Sequence, residues 1–401
     1  VECTVSYPTL PFMLSRLSKQ LSAFVVPKPS YKLPPIGITI GRRRLHDNED
    51  GSGDYAFLGR FQHGQGRNGV QRGPDVLRTF LPPTVRTFNP ISPLPHRIEQ
   101  VPVSGNNNTV IHDPKAVGEA NLILYKSMLE ETSQYLDKNG RLPSILLLGG
   151  DHSLGLGSIG AVSTLCAQAV SKGVKGLPFS NPELVVVWVD AHDDVLTPFS
   201  TRSGNLHGCP VSPLLGWGEK AWKELKHFDW AFDRKYLPPG QASFVQARRL
   251  AYIGFRGDVR HPDILSFSMN EVTRVGMEEV IKRCLQAVDP EGTRPIHLSF
   301  DIDAMDPRVA PSTGTPVPNL LNRSCTPSYG LFPPQGTQIV EGLKATGRLV
   351  AMDLVEVNPD IGDAHDVNCT LATSKELIDA WYKGVDRSGE RGALGPSSCQ
   401  V

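Results

Sequence analysis

Residues 184–194, LVVVWVDAHDD, decide how this chain is read. Residues 184–189 are short, apolar and largely β-branched, the composition of a strand covered on both faces, as parallel strands flanked by helices are. The polar residues arrive together at its end. If the extended backbone continued past Val189, alternation would send Asp190, His192 and Asp194 to one side, so two carboxylates and an imidazole would converge. In open α/β sheets the carboxyl edge of the strands is where ligands bind.

The chain on either side repeats the pattern. Residues 144–148 (SILLL) run into Gly149, Gly150, Asp151 and His152, residues 249–255 (RLAYIGF) form another apolar run, residues 295–303 end in Asp301 and Asp303, and residues 348–358 carry Asp353 and Glu356. Helical stretches fall between them at 115–138, closed by Asn139 and Gly140, at 158–172, around 277–287 and at 372–382. Upstream, 36–40 reads as a short strand, and a glycine turn precedes a helix near Pro74. Residues 81–115, rich in Pro, Asn and Ser, read as irregular loop, and 319–337 as an inserted loop holding Cys325. Strand alternating with helix predicts a doubly wound parallel sheet in one domain, 36–387.

Composition narrows the possibilities. The 401 residues carry 41 basic and 41 acidic side chains, so no global charge draws the chain to nucleic acid or to an anionic membrane. The seven cysteines are odd in number, scattered and free of any CxxC pair, which fits reduced thiols inside a cell and not a disulfide scaffold. No apolar run reaches the ~20 residues that span a bilayer. From Cys3 to His46 there is no acidic residue, and Leu14, Leu17, Leu21 and Phe24 fall at helical spacing among basic residues. That is the character of a mitochondrial transit peptide, so 1–35 is read as an extension and the protein as mitochondrial, with a disordered extension on a cytoplasmic protein as the alternative. The Gly/Ser tail, 388–401, is expected to be disordered.

Four strand ends thus deliver polar clusters: His152; Asp190, His192 and Asp194; Asp301 and Asp303; Asp353 and Glu356. Carboxylates crowded this way repel one another unless a cation neutralises them. Each cluster alone has an ordinary explanation in turn chemistry or helix capping. Several strand ends sending ligands to one edge is not something turn propensity requires. Four Asp and two His without sulfur suit two Mn(II) ions, with Co, Ni and Zn as borderline alternatives. Such a pair acidifies a shared water.

GGDHS at 149–153, DAHDD at 190–194, SGNLHG at 203–208, SFDIDAMDP at 299–307, TGTP at 313–316 and MDLVEVNP at 352–359 together resemble the ureohydrolase (arginase–agmatinase) family, and SGNLHG resembles its arginase branch. The resemblance covers about 145–385. It implies a three-layer α/β/α fold with a parallel eight-stranded sheet, two Mn2+ per subunit, and hydrolysis of the guanidinium of L-arginine to L-ornithine and urea by metal-bound hydroxide. It also implies a homo-oligomer, trimer or hexamer. By motif, His152, Asp190, Asp194 and Asp301 would hold one ion and His192 and Asp303 the other, with Asp190 and Asp301 bridging. His207 would shuttle protons, Asp194 would orient the nucleophile, and Glu356 would take the guanidinium. His192, Ser203, Asn205, Asp258 and Thr315 would contact the substrate.

Two departures bear on substrate choice. Leu196 stands where the family carries an Asn donor, and Arg260 falls nearest the acidic position expected for the α-amino group, with Asp258 two residues away. These leave open a different guanidino substrate, a guanidino acid or agmatine. A non-catalytic homologue is a third reading, opposed by six filled ligand positions.

Overall fold

The computed structural model describes residues 53–91, 99–102, 110–256, 261–317 and 329–383. The expectations for 1–35, 36–40 and 388–401, for Asp258 and Arg260, and for most of 319–337 lie outside the described residues.

In chain order the strands are β1 (Asp54–Gly59), β2 (Arg86–Ile91), β3 (Gln100–Pro102), β4 (Val110–His112), β5 (Ser144–Gly149), β6 (Val185–Val189), β7 (Leu250–Phe255), β8 (Leu265–Ser268), β9 (Ile296–Asp301) and β10 (Leu349–Val355). Eight of them make one sheet in the order β2-β1-β5-β10-β9-β6-β7-β8, and every neighbouring pair is parallel. The helices are α1 (Gly73–Leu77), α2 (Pro114–Asn139), α3 (Gly155–Ser171), α4 (Val211–Leu214), α5 (Glu219–Glu224), α6 (Met269–Val275), α7 (Met277–Val288), α8 (Pro333–Ala345) and α9 (Ala364–Tyr382).

The sheet is apolar on both faces because both are covered. Ile145 and Leu147 of β5, with Val186 and Trp188 of β6, pack into one core beneath α2 and α3. Leu146 and Leu148, with Val185, Val187 and Val189, pack into a second core against α7, α8 and α9. This is the expected three-layer α/β/α arrangement. The near-continuous hydrophobic runs in the sequence are its direct trace.

Several expectations needed correction. Residues 81–115 are not all loop: β2 pairs with β1 as an edge strand, where the sheet tolerates Pro90, and β3 and β4 form a small antiparallel ribbon. Residues 333–337, assigned to an inserted loop, open α8 with prolines in its first turn. The stretch His152–Ser171, interrupted by serines, a threonine and a glutamine, is nevertheless long and apolar enough on average to cross a membrane, and it is largely buried within the fold as a core helix. α9 begins well before 372, because Asp363 caps it by accepting from the backbone N–H of His365 and Asp366.

Candidate metal centre and active site

The carboxyl ends of β5, β10, β9 and β6, adjacent in the middle of the sheet, build the site. β5 leaves through Gly150, where an added Cβ would meet the Phe61 carbonyl oxygen at 1.8 Å, so only glycine lets the two backbones pass. The Gly150 carbonyl accepts from the Glu356 N–H at 2.9 Å, which ties the β5 exit to the β10 exit. His152 follows in a short turn capped by Asp151, whose side chain accepts from the Ser153 N–H.

The β6 exit does not work by alternation. The strand stops at Val189, the backbone turns, and Asp194 reaches its place with φ 44, a left-handed conformation. Asp190 accepts from the His192 N–H at 2.7 Å, and Asp303 accepts from the Ala191 N–H at 3.2 Å. Asp301 caps its own turn by accepting from the Asp303 N–H at 2.7 Å. The convergence inferred for 190, 192 and 194 is real, but a turn produces it.

The resulting geometry has two foci. His152 Nδ1 lies 3.0 Å from Asp190 Oδ2, 3.2 Å from Asp194 Oδ2 and 3.2 Å from Asp301 Oδ2. His192 Nδ1 lies 3.3 Å from Asp190 Oδ1 and 3.0 Å from Asp303 Oδ2. An imidazole nitrogen carries at most one proton and cannot satisfy several carboxylate oxygens. Donors about 3 Å apart match neighbouring corners of a shell with metal–ligand bonds of about 2.1 Å. Asp190 turns one oxygen to each focus, the posture of a bridge. Two groups, His152 with Asp190 and Asp194, and Asp190 with His192 and Asp303, each bring their ligand atoms within 4.8 Å of one another. The set is nitrogen and oxygen only, which fits a pair of divalent cations of the Mn class.

Electrostatics point the same way. Burial and the Asp190 charge push Asp194 up to about 7. Burial, Asp303 and Asp190 drive Asp301 well above the usual carboxylate range, and burial and Asp190 raise Asp303. Asp190 goes the other way: burial alone would raise it, but His152 and His192 hold it well below its ordinary value. Burial alone would depress His192, yet Asp303 and Asp190 lift it to about 12. Carboxyls squeezed this hard are relieved by positive charge.

Glu356 is fully buried, with φ 64. Its Oε1 accepts from the His152 N–H at 2.9 Å and lies 3.0 Å from His207 Nδ1, while Oε2 accepts from Gln65 Nε2 at 2.5 Å. The contact with Glu356 lifts His207 to about 9 against the opposing effect of its burial. Above lies an open cavity of about 510 Å³ lined by Gln65, Arg67, His192, Asn205, His207 and Thr315, among others. Thr315 donates to Asp303 Oδ2 at 3.2 Å.

Ser203 is exposed and is not among the lining side chains. Asp353, grouped with Glu356 in the sequence reading, sits apart: mid-strand in β10, it lies 3.0 Å from His297 Nε2 and accepts from Ser158 Oγ. Asp353 lies inside β10, whereas Glu356 lies past the strand's end at Val355 in a left-handed conformation.

Sequence reasoning missed several residues around the site. Trp188 stacks on the His152 ring, centroids 4.1 Å apart and 13° between planes, and its Nε1 donates to Asp190 Oδ2 at 3.0 Å. Ser299 Oγ lies 2.9 Å from His152 Nε2, which leaves Nδ1 as the free ligand atom. Arg256 is buried behind the centre and donates to the carbonyls of Asp303 and Ala304. Gln65 sits in a glycine-rich loop whose spacing suggested only a turn. For Trp188 and Ser299 a signal was present, since each lies two residues before a candidate ligand at the end of its strand, the spacing that shares a face in extended backbone.

The comparisons with known proteins agree with this geometry. Residues 54–378 match the family model described as "Arginase family". Arginase-1 of Oryctolagus cuniculus is 35% identical over 345 residues, covering 82% of this chain and 92% of its own. Arginase-2, mitochondrial, of Homo sapiens is also 35% identical, covering 82% of this chain and 84% of its own. Among solved structures, the arginase of Bacillus caldovelox superposes with a TM-score of 0.61 at 26% identity, covering 82% of this chain and 98% of that one.

Proposed function

This chain belongs to the arginase family, and on that premise we propose that it cleaves the guanidinium of L-arginine to L-ornithine and urea with two Mn(II) ions. It is an arginase-type amidinohydrolase acting on a small guanidino compound. What supports the ion pair is one observation: two imidazole nitrogens, each facing two or three carboxylate oxygens, with Asp190 shared between them. His152, Asp190, Asp194 and Asp301 would hold one ion, and Asp190, Asp301, His192 and Asp303 the other. When bound, the ions supply the Lewis acidity that makes water a nucleophile near neutral pH.

The chain's own residues do the rest. Glu356 presents a buried carboxylate to the cationic guanidinium, a charge-assisted contact. A carboxylate has about four acceptor positions, and here three hold chain donors. A two-point grip on the substrate therefore requires His207 or Gln65 to yield its place. His207, on the pocket wall, is positioned to carry a proton to the leaving amine. Asp194 orients the attacking water by accepting its hydrogen bond. Asn205 and Thr315 line the path of the substrate's tail.

The deciding experiment measures urea release by the full chain with Mn(II) from L-arginine, 4-guanidinobutyrate and agmatine, alongside metal analysis. Preference for arginine with two ions per chain supports the reading; no urea from arginine overturns it. Leu196, apolar and 38% exposed, favours the second reading, another guanidino substrate, and the same panel decides. The acid-poor segment 3–46 supports a mitochondrial address, as two relatives carry in their names. A reporter fused to residues 13–46 that stays diffuse in the cytosol refutes that address. Trimeric or hexameric assembly is tested by light scattering.

A further inference from the structure

We propose that Arg67 is the specificity residue of this pocket: it binds the carboxylate of the substrate and restricts the enzyme to ω-guanidino acids, against guanidino amines. The inference rests on the guanidinium-hydrolase reading above.

Among the described residues Arg67 is the sole Lys or Arg lining the cavity, and it is exposed. Its neighbours in sequence have spent their charge elsewhere. Arg60 pairs with Asp75, and Arg72 pairs with Asp360. Arg67 makes no hydrogen bond or ion pair with any described residue. A guanidinium kept free beside a pocket is a planar, bidentate receptor for a carboxylate.

The backbone beneath it is held firmly. The Gly64 N–H donates to Asp151 Oδ2 at 2.8 Å, and the Gly64 carbonyl accepts from the His207 N–H at 2.9 Å. The Gln65 side chain donates to Glu356, and Asn358 Nδ2 donates to the Asn68 carbonyl at 3.0 Å. Bonds on both sides of Arg67 thus fix the loop at the rim and tie its register to the catalytic floor.

The pocket is therefore polarised. His192 and His207, which line the cavity, touch the buried carboxylates of Asp190, Asp303 and Glu356, and Arg67 stands exposed on the same lining. A ligand with a cationic guanidinium at one end and an anion at the other matches both poles. Agmatine carries an ammonium at its far end and meets Arg67 as a like charge.

The test is steady-state kinetics of the Mn(II)-loaded full chain with L-arginine, 4-guanidinobutyrate and agmatine, for the wild type and for Arg67→Ala and Arg67→Glu. Loss of a charge-assisted bond raises KM for the two carboxylates about tenfold to a hundredfold in Arg67→Ala, with kcat nearly unchanged and no such rise for agmatine. Arg67→Glu shifts preference toward agmatine. As a binding readout, the inhibition constant of L-ornithine weakens in both variants while that of putrescine does not. An arginine-to-agmatine KM ratio within threefold of wild type in both variants overturns the assignment and leaves the hydrolase reading intact. A wild-type protein that releases urea from none of the three removes both.

Discussion

Replacing Trp188 with phenylalanine tests whether the ligands are held by what lies behind them. The indole is fully buried; it stacks on His152 and donates Nε1–H to Asp190 Oδ2. Phenylalanine keeps an aromatic plane against the imidazole and deletes the donor. A hydrogen bond to a charged group contributes about 1.5–3 kcal/mol, and at 1.4 kcal/mol per decade that is about tenfold to a hundredfold in metal affinity. The loss should fall mainly on one ion, because Asp190 Oδ2 belongs to the His152 focus and Oδ1 to the His192 focus. Calorimetric titration of chelator-stripped protein with Mn(II) would resolve this as one weakened site and one near wild type. The smaller ring also leaves a void, so Tm should fall with and without metal; the metal-specific part is the difference between the two. If both ions bind within threefold of wild type, the view that Trp188 braces Asp190 is wrong.

Three further outcomes follow from the same geometry. Glu356→Gln should lower kcat/KM for L-arginine by about a hundredfold or more, since a buried carboxylate facing a cation loses its charge; bound manganese should stay at wild-type content, and its loss would make Glu356 a scaffold for His152 instead. Gly314→Ala should drop kcat/KM about tenfold, because the new Cβ would lie 2.3 Å from Gln65 Oε1 and displace the amide from Glu356; an unchanged value would mean that Gln65 moves without consequence. In stripped protein, carboxyls raised by folding, with Asp194 at about 7 and Asp301 and Asp303 raised too, bind protons more tightly folded than unfolded. Their contribution is fully present below about pH 4 and is lost as pH rises through about 7, where on the proposed reading a divalent cation would take the protons' place. The Tm gap between loaded and stripped protein should therefore widen from about pH 5 to 8; a flat gap in differential scanning would refute it.

The central strands were legible because they are buried on both faces, which leaves residues such as Val185–Val189 no polar position until the chain reaches the edge. The outer strands were not. In β2, RTFNPI is largely half-buried or exposed, and β8, LSFS, spans only four residues, so neither shows the unbroken apolar run that marked the interior. The candidate ligand cluster could be read for a related reason: its carboxylates and imidazoles fall where an apolar run ends. How they converge could not, since it depends on the left-handed backbone at Asp194, which no alternation rule predicts. Gln65 was hidden because its importance lies in a contact 291 positions away with Glu356, and its own neighbourhood looks like any glycine turn.

Chain order and sheet order differ in the middle of the sheet: β10, the last strand among the described residues, slots between β5 and β9. His152 and Glu356 touch although 204 positions separate them. A growing polypeptide that has emerged only as far as the DAHDD turn therefore offers two imidazoles, His152 and His192, and a few carboxylates, without Asp301 and Asp303 to close the ring around an ion. On the proposed metal reading, ion capture would wait until synthesis has passed Asp303, and chains terminated before it should stay unloaded.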